Sequence, residues 1–318
     1  MAEFVDCNFE SIFNLPFTSI NNVELNNLNS SNSTIFLNSL PSLDIVSEVS
    51  KFSNFQPSDI DINMAFQTDC KYYSVDDYKK IRNNRYFNIF HSNINSLEAK
   101  FDNFHEFLSS ISSKFGILAI TETSEKVNVG FRKKIEIEGY KMFSTASNIN
   151  KGGTAIYIDR NFDSFERMDL KIQDDNYEST WCEIKNTNSK NIVTGCIYRH
   201  PRYNVREFFS YFEKCLNKLS RENKEIYICG DFNLDLLKIE EDNSYLEFYN
   251  LLCSYGFLPK IIHPTRVTDH NSSLIDNIFS NNLSDITISG NILLTLSEHF
   301  SQFLSVKRGI VEYSNTKL

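Results

Sequence analysis

In this 318-residue chain, several apolar runs end abruptly in residues able to hold a metal or move a proton. The strongest is Ile226-Tyr227-Ile228-Cys229-Gly230-Asp231-Phe232-Asn233, where a run suited to a buried strand gives way to Gly, so that the following Asp and Asn can bend inward. Taken alone, Gly-Asp-x-Asn also reads as an ordinary turn. Ile117-Leu118-Ala119-Ile120-Thr121 delivers Glu122 in the same way, and Phe90-His91-Ser92 brings up Asn93 and Asn95. Nearer the C-terminus, Thr265-Arg266 precedes Leu274-Ile275-Asp276, and Ser297-Glu298-His299 follows. One or two carboxylates, with water and a substrate phosphate, make a ligand set that suits Mg²⁺. Carboxylates, amides and a His in one cleft could also activate water and relieve charge on a phosphate. That Glu298 and His299 are neighbours in sequence does not make them touch.

Rigid elements must deliver these groups to a common place. Short apolar runs broken by turn residues predict strands over 86–90, 115–120, 140–143, 154–158, 180–184, 192–198, 226–229, 273–279, 286–292 and 300–306. Helical spacing covers 97–112, 205–219 and 245–255, the last closed by Gly256. Lys151-Gly152-Gly153 lies between two strands and supplies the positive φ that a hairpin turn wants. Many strands with few helices predict an α/β (α+β) fold in which two sheets pack face to face with helices outside.

Residues 1–80 differ in texture. They are rich in Asn and Ser, lack sustained periodicity and read as a mostly disordered acidic tail. The folded domain is expected over 81–310, with 311–318 as a short C-terminal tail. Of the net charge of −9, the first 70 residues carry −8, with nine acids against Lys51 alone. The remainder is therefore close to neutral, and a basic face for nucleic acid is neither required nor excluded. Seven scattered cysteines, several inside apolar runs, suggest buried free thiols and a reducing, intracellular setting. No apolar stretch approaches the roughly 18 residues that a membrane span needs, so a soluble protein without membrane contact is expected.

Taken in order, these elements resemble the endonuclease/exonuclease/phosphatase superfamily. Asn93 stands at the family's Asn after the first strand, Glu122 at its metal-binding Glu, and Tyr198 at its Tyr after a central strand. Asp231 and Asn233 match its Gly-Asp-x-Asn, Asp276 its late Asp, and Ser297-Glu298-His299 its terminal Ser-Asp-His. Calcineurin-like phosphatases also end a strand in Gly-Asp, but they need Asp-x-His upstream and Gly-Asn-His downstream, and this chain has neither. The resemblance runs from about Arg85 to Val306 and implies a DNase-like four-layer α/β/β/α sandwich.

Within the superfamily, Lys151-Gly152-Gly153-Thr154, Tyr198-Arg199-His200-Pro201, His263-Pro264-Thr265-Arg266 and Leu274-Ile275-Asp276 are similar to endonucleases of non-LTR retrotransposons. Abasic-site repair enzymes carry a Trp-rich segment, whereas this chain has one Trp, Trp181. The resemblance implies a Mg²⁺-dependent endonuclease, with Mn²⁺ as a substitute, that nicks double-stranded DNA and leaves a 3′ hydroxyl. A downstream reverse transcriptase would be its partner, and the nucleus its place of action on genomic DNA. By the same resemblance, Glu122 binds the metal with Asn93, Asp231 prepares the attacking water, and Asn233 and Tyr198 contact the phosphate. His299, oriented by Glu298, assists proton transfer, and Asp276 completes the network. Asn95, Arg199, Thr265, Arg266 and Ser297 are expected to bind substrate. Glu298 departs from the family's Asp, which predicts impaired or context-dependent activity, since a misplacement of about 1 Å can cost on the order of 100-fold in rate. An abasic-site enzyme, a phospholipid phosphodiesterase and a decayed DNA-binding module are the alternative expectations.

Overall fold

Side chains alternate across a strand with a period of two, so each apolar run offers one face to a partner layer. The structure, a computed structural model, describes residues 69–81, 86–125, 134–149, 151–187, 189–282 and 287–307, all within one unit, Gln56–Leu318. The expected disorder of residues 1–68 and the C-terminal tail over 311–318 lie outside the described residues.

The described residues begin with β1 (Asp69–Tyr73), α1 (Val75–Lys80), β2 (Tyr86–Asn93), α2 (Leu97–Ser110), β3 (Ile117–Thr121), β4 (Tyr140–Thr145) and β5 (Thr154–Asp159). They continue through β6 (Ser164–Glu166), β7 (Ile172–Gln173), β8 (Tyr177–Ile184), β9 (Ile192–Arg199), α3 (Val205–Ser220), β10 (Glu225–Asp231) and α4 (Asn243–Ser254). They close with β11 (Leu258–Pro259), β12 (Arg266–Val267), β13 (Ser272–Ser273), β14 (Asp276–Ser280), β15 (Thr287–Ile292) and β16 (Ser301–Lys307). One sheet has the order β1-β15-β16-β2-β3-β5-β4, and the other β11-β14-β10-β9-β8-β6, with β7 also on β8. Both mix parallel and antiparallel pairs: β2 runs parallel to β3, and β9 parallel to β10.

Three apolar cores separate four layers. Phe104 and Phe107 of α2 pack on Phe90, Leu118 and Phe303 outside the first sheet. Phe208, Phe212 and Leu216 of α3, with Phe248 of α4, cover Ile228 and Phe279 outside the second. Between the sheets, Ile89, Ala119 and Ile156 face Cys196, Cys229 and Ile278. The described cysteines are free thiols, as a reducing setting allows. Polar caps start the second-sheet helices: Asn204 accepts from the Arg206 amide, and Asp242 from the Ser244 amide. Among the described residues no helix is long and apolar enough to cross a membrane.

The structure corrects two expectations about elements. Residues 69–80, read as the end of the tail, belong to the fold: β1 lies parallel to β15, and Tyr78 of α1 is buried against Phe115 and Phe303. The segment is short and its alternation is masked by polar edge residues, so periodicity could not reveal it. The strand expected over 273–279 is broken. Ser272–Ser273 pairs with Arg266–Val267 as a hairpin, Leu274 and Ile275 leave the ladder, and β14 restarts at Asp276. The carbonyls of Leu274 and Ile275 instead accept from the amides of Leu236 and Phe232, which ties this break to the loop after β10.

Candidate active site

Along the inner faces of the two sheets, the period-two pattern persists but the residue type changes. The apolar contacts give way, at one end of the sandwich, to buried His91, Asn93, Thr121 and Gln302 on one sheet and Glu178, Tyr198, Asp231 and Asp276 on the other. Register makes the second set a level row, because Glu178 pairs with Tyr198, Tyr198 with Asp231, and Asp231 with Asp276. On the facing sheet Asn93 pairs with Thr121. The polar groups therefore come mainly from strand backbone, which holds them more rigidly than loops would. Gly230 does not bend Asp231 inward, as the sequence suggested. It remains in β10, where a Cβ would stand 2.1 Å from the Ile197 carbonyl oxygen, so Gly permits close strand approach and the pleat aims Asp231.

Asn93 joins the two sheets. Its Nδ2 donates to Glu122 Oε1 and to Asp231 Oδ2, each at 2.8 Å. The Tyr198 hydroxyl donates to the same Glu122 oxygen at 3.0 Å. Glu122 lies just past β3 at φ 52°, in the left-handed region that L residues adopt when surroundings compel it. Its carbonyl accepts from the Ser96 amide at 2.8 Å, which fixes the loop to the start of α2. Asn93 presents nitrogen to the carboxylates, while its Oδ1 accepts from the Asn95 amide at 3.2 Å. In this arrangement it clamps the carboxylates rather than offering them a companion ligand oxygen. The Asn95 side chain is exposed beside it.

A second group centres on His299. Its Nδ1 lies 2.8 Å from Asp276 Oδ2, and Thr265 Oγ1 donates to that same oxygen at 2.7 Å. Glu298 does not orient His299: its carboxylate faces outward and pairs with Arg266 at 2.5 Å. The reason is strand geometry. Asp276 is the first residue of β14, whereas Glu298 and His299 are consecutive residues whose side chains diverge. Ser297 donates from Oγ to the Asn93 carbonyl at 2.5 Å and accepts from the His299 amide at 3.1 Å, so it anchors the segment. Arg199 is likewise not a substrate ligand. It is 4% exposed, and its guanidinium donates to the carbonyls of Phe232 at 2.6 Å and Asn233 at 2.7 Å. Asn233 returns a bond from Nδ2 to the Arg199 carbonyl at 2.7 Å, so this pair braces the loop that follows Asp231.

Burial and neighbouring charge set the protonation of the cluster. Burial first, and then the charge of Asp276, push the Asp231 carboxyl up to about 7 against the opposing pull of His299 and Asn93. Burial would lower His299, but the Asp276 carboxylate outweighs it and lifts the imidazole to about 9. Burial likewise opposes ionisation of Asp276, and the charge and hydrogen bond of His299 overcome it, so this carboxyl sits below its ordinary value. Near neutral pH the pair is thus an imidazolium on a carboxylate, beside an Asp poised to take a proton. Burial, followed by the charge of Glu122, keeps the Tyr198 phenol far above its ordinary range and therefore neutral.

The donor set fits a divalent cation. A carboxylate oxygen of Asp231 and one of Asp276 lie within 4.8 Å of each other and of a His299 ring nitrogen, which its proton keeps out of the ligand set. Asp276 Oδ1 is buried with no hydrogen-bond partner among the described residues, and burial, followed by the nearby Asp276 charge, disfavours the anion at Asp231. Glu122, clamped to Asp231 through Asn93, adds a third carboxylate. Oxygen-rich sites of this kind suit hard divalent cations.

Four nearby residues were not singled out from sequence. Buried His91 contacts Gln302 at 2.6 Å, 211 residues away, and lies behind the cluster. Glu178 and His200 form a buried pair at 3.0 Å. Of the four only Gln302 lies on a predicted strand, 300–306; Glu178 stands just before the one predicted over 180–184 and joins β8 in the structure.

A family model described as the Endonuclease/Exonuclease/phosphatase family matches residues 86–299. No curated protein matches the sequence. Among solved structures, the chain is similar to the endonuclease domain of TRAS1, a telomere-specific non-LTR retrotransposon, with 15% identity, 70% of this chain and 100% of that one covered, and a TM-score of 0.51. The Xenopus laevis APE2 catalytic domain shows 18% identity over 70% of this chain and 92% of its own, with a TM-score of 0.51. The Leishmania major AP endonuclease LMAP shows 10% identity over 85% and 100%, with a TM-score of 0.59. At these identities the likeness is one of fold.

Proposed function

From the premise that the chain belongs to the endonuclease/exonuclease/phosphatase family, we propose that it is a Mg²⁺-dependent endonuclease that nicks double-stranded DNA and leaves a 3′ hydroxyl. The observation that carries this reading is the bridge at Asn93, which holds Glu122 and Asp231 to one nitrogen while the Asp276–His299 pair stands within reach of Asp231. Glu122, Asp231 and Asp276 are the residues that would hold the cation. Bound there, Mg²⁺ would supply charge relief to the phosphate and the leaving oxygen.

The remaining work falls to the chain's own groups. Asp231, with its raised carboxyl, accepts a proton from the attacking water. His299, charged near neutrality and aligned by Asp276, donates a hydrogen bond to a phosphate oxygen. The second N–H of Asn233 contacts the phosphate, Tyr198 keeps its single O–H on Glu122, and the partly exposed guanidinium of Arg266 attracts the backbone. Thr265 and Ser297 support the pair and its segment rather than the substrate.

The retrotransposon branch is favoured by the motifs around Gly152, Tyr198 and Asp276 and by Trp181, which is wholly buried in β8 rather than in a Trp-rich surface segment. On this reading the nuclear genome is the target, and a reverse transcriptase extends the product end. A substrate panel tests it: supercoiled plasmid, a duplex with one abasic site and a phosphoinositide, each with Mg²⁺. Preferential plasmid nicking, with ends that a polymerase extends without prior repair, supports the proposal. Preference for the abasic duplex or the lipid would replace it with a different phosphohydrolase.

A further inference from the structure

Glu122 stands on backbone that has to be held in place. Both Glu122 (φ 52°) and Ser124 (φ 51°) are left-handed. On one side the loop is braced by a glycine turn: the Ser124 amide donates to the Gly152 carbonyl at 2.8 Å, and the Thr123 amide to the Gly153 carbonyl at 3.3 Å. Gly152 (φ 111°) and Gly153 (φ 87°) have no room for side chains. A Cβ on Gly153 would lie 2.5 Å from Thr123 Oγ1, and one on Gly152 would lie 2.8 Å from the His200 ring. The imidazole of His200 therefore forms the wall behind the turn that holds the Glu122 loop.

His200 is itself fixed from behind. Its Nε2 lies 3.0 and 3.2 Å from the two carboxylate oxygens of Glu178, and both residues are buried. Glu178 belongs to the same inward row as Tyr198, Asp231 and Asp276, although it touches neither Asp231 nor Asp276 by any hydrogen bond. The His200 ring also meets Tyr198 edge-on, with centroids 4.7 Å apart and planes at 80°. Tyr198 in turn donates to Glu122. Two routes thus lead from the pair to one carboxylate, through the glycine turn to its backbone and through the phenol to its oxygen.

We propose that the Glu178–His200 pair is a positioning device for the metal-side carboxylate, fixing Tyr198 and the Gly152–Gly153 turn and thereby the loop that presents Glu122. Its consequence for metal rests on the proposed function, but its geometry does not. Neither residue reaches the reacting atoms. Outer partners of this sort orient the groups that hold a metal, and their loss typically costs roughly 10- to 100-fold in metal affinity.

The test uses the full chain with His200→Ala and Glu178→Gln. Amide hydrogen exchange is followed at Thr123 and Ser124, and the Mg²⁺ half-saturation of plasmid nicking is measured alongside KM for plasmid. The expected result is faster exchange at those two amides, with β3 amides Leu118 and Ala119 unchanged, and a Mg²⁺ requirement raised by about 10-fold or more at constant KM. Glu178→Gln preserves shape, so it decides the matter should His200→Ala not fold. Wild-type exchange at Thr123 and Ser124 in both variants would overturn the inference, as would a uniform loss of protection through β3 and β9, which marks a plain core contact. If the wild-type protein shows no Mg²⁺-dependent nicking, the functional reading fails separately, and the exchange measurement still decides whether the pair holds the loop.

Discussion

His299 takes its orientation from Asp276, 2.8 Å away and 23 positions earlier in the chain, and not from the adjacent Glu298. The consequence is measurable. Asp276→Asn should lower the nicking rate by on the order of 10²- to 10⁴-fold, because it removes the charge that holds the imidazolium and leaves the wrong tautomer favoured. Glu298→Ala should change it by no more than about 5-fold, since an exposed ion pair is worth about 1 kcal/mol or less. Single-turnover rates of the two variants check this. A larger loss in Glu298→Ala than in Asp276→Asn would reverse the assignment. On this basis the Glu in place of the family's Asp is no reason to expect an impaired enzyme through misorientation of His299.

The pH profile follows from the same groups. Deprotonation of Asp231 should give an ascending limb near its value of about 7 at low Mg²⁺, and loss of the His299 proton a descending limb near 9. Cation binding favours the carboxylates and offsets the Asp276 charge that lifts His299, so raising Mg²⁺ should move both limbs to lower pH. Stability carries its own sign. The raised value of His299 contributes stability that is fully present below about 6.5 and is lost as pH rises through about 9. Profiles at two Mg²⁺ concentrations, with thermal unfolding across the same range, test both statements.

Asn93→Ala should damage the site beyond the loss of one side chain. The Asn93 hydrogen bond helps hold the Asp231 carboxyl down, so its removal should push the ascending limb upward as well as freeing Glu122. Hydrogen bonds to charged groups contribute about 1.5–3 kcal/mol, which allows a limb shift of roughly one to two pH units. An unshifted limb would mean that Asp231 is not the titrating base.

The segment before β2 should matter to the site. The Tyr72 hydroxyl donates to the Pro264 carbonyl at 3.0 Å, and its ring meets those of His263 and Phe300, next to Thr265 and His299. Tyr72→Phe should cost about 1 kcal/mol, which lowers Tm by about 2–4 °C in a domain of this size. A chain begun at residue 82 should unfold well below one begun at residue 69, because the edge of β15 is then uncovered. Calorimetry of the three proteins decides. Equal Tm values for the two truncated chains would make β1 dispensable.

Much of this architecture is legible in the amino-acid sequence. Strands such as Ile192–Arg199 and Glu225–Asp231 announce themselves by apolar runs, and their polar ends by type, so Asn93, Glu122, Tyr198, Asp231 and Asp276 could be chosen from sequence. What could not be read was pairing across distance. The neighbour of His299 depends on where β14 restarts, and that depends on a hairpin interrupting an apolar run. The family resemblance makes Arg199 a substrate-binding residue, yet its surroundings bury it against carbonyl oxygens. Glu178 and His200 are ordinary in isolation and acquire meaning only from the register of β8 with β9. The edge strand β1 lacked a signal because five residues with few inward apolar positions leave no period to detect.

The most direct test is nicking of supercoiled plasmid by the purified protein, compared with and without Mg²⁺ and alongside Glu122→Ala and Asp231→Ala. The account predicts cleavage that requires the ion, is abolished by a chelator and falls by several orders of magnitude in both variants. Cleavage that persists unchanged in the variants, or a folded wild-type protein that leaves plasmid intact in Mg²⁺ and Mn²⁺ alike, would contradict it.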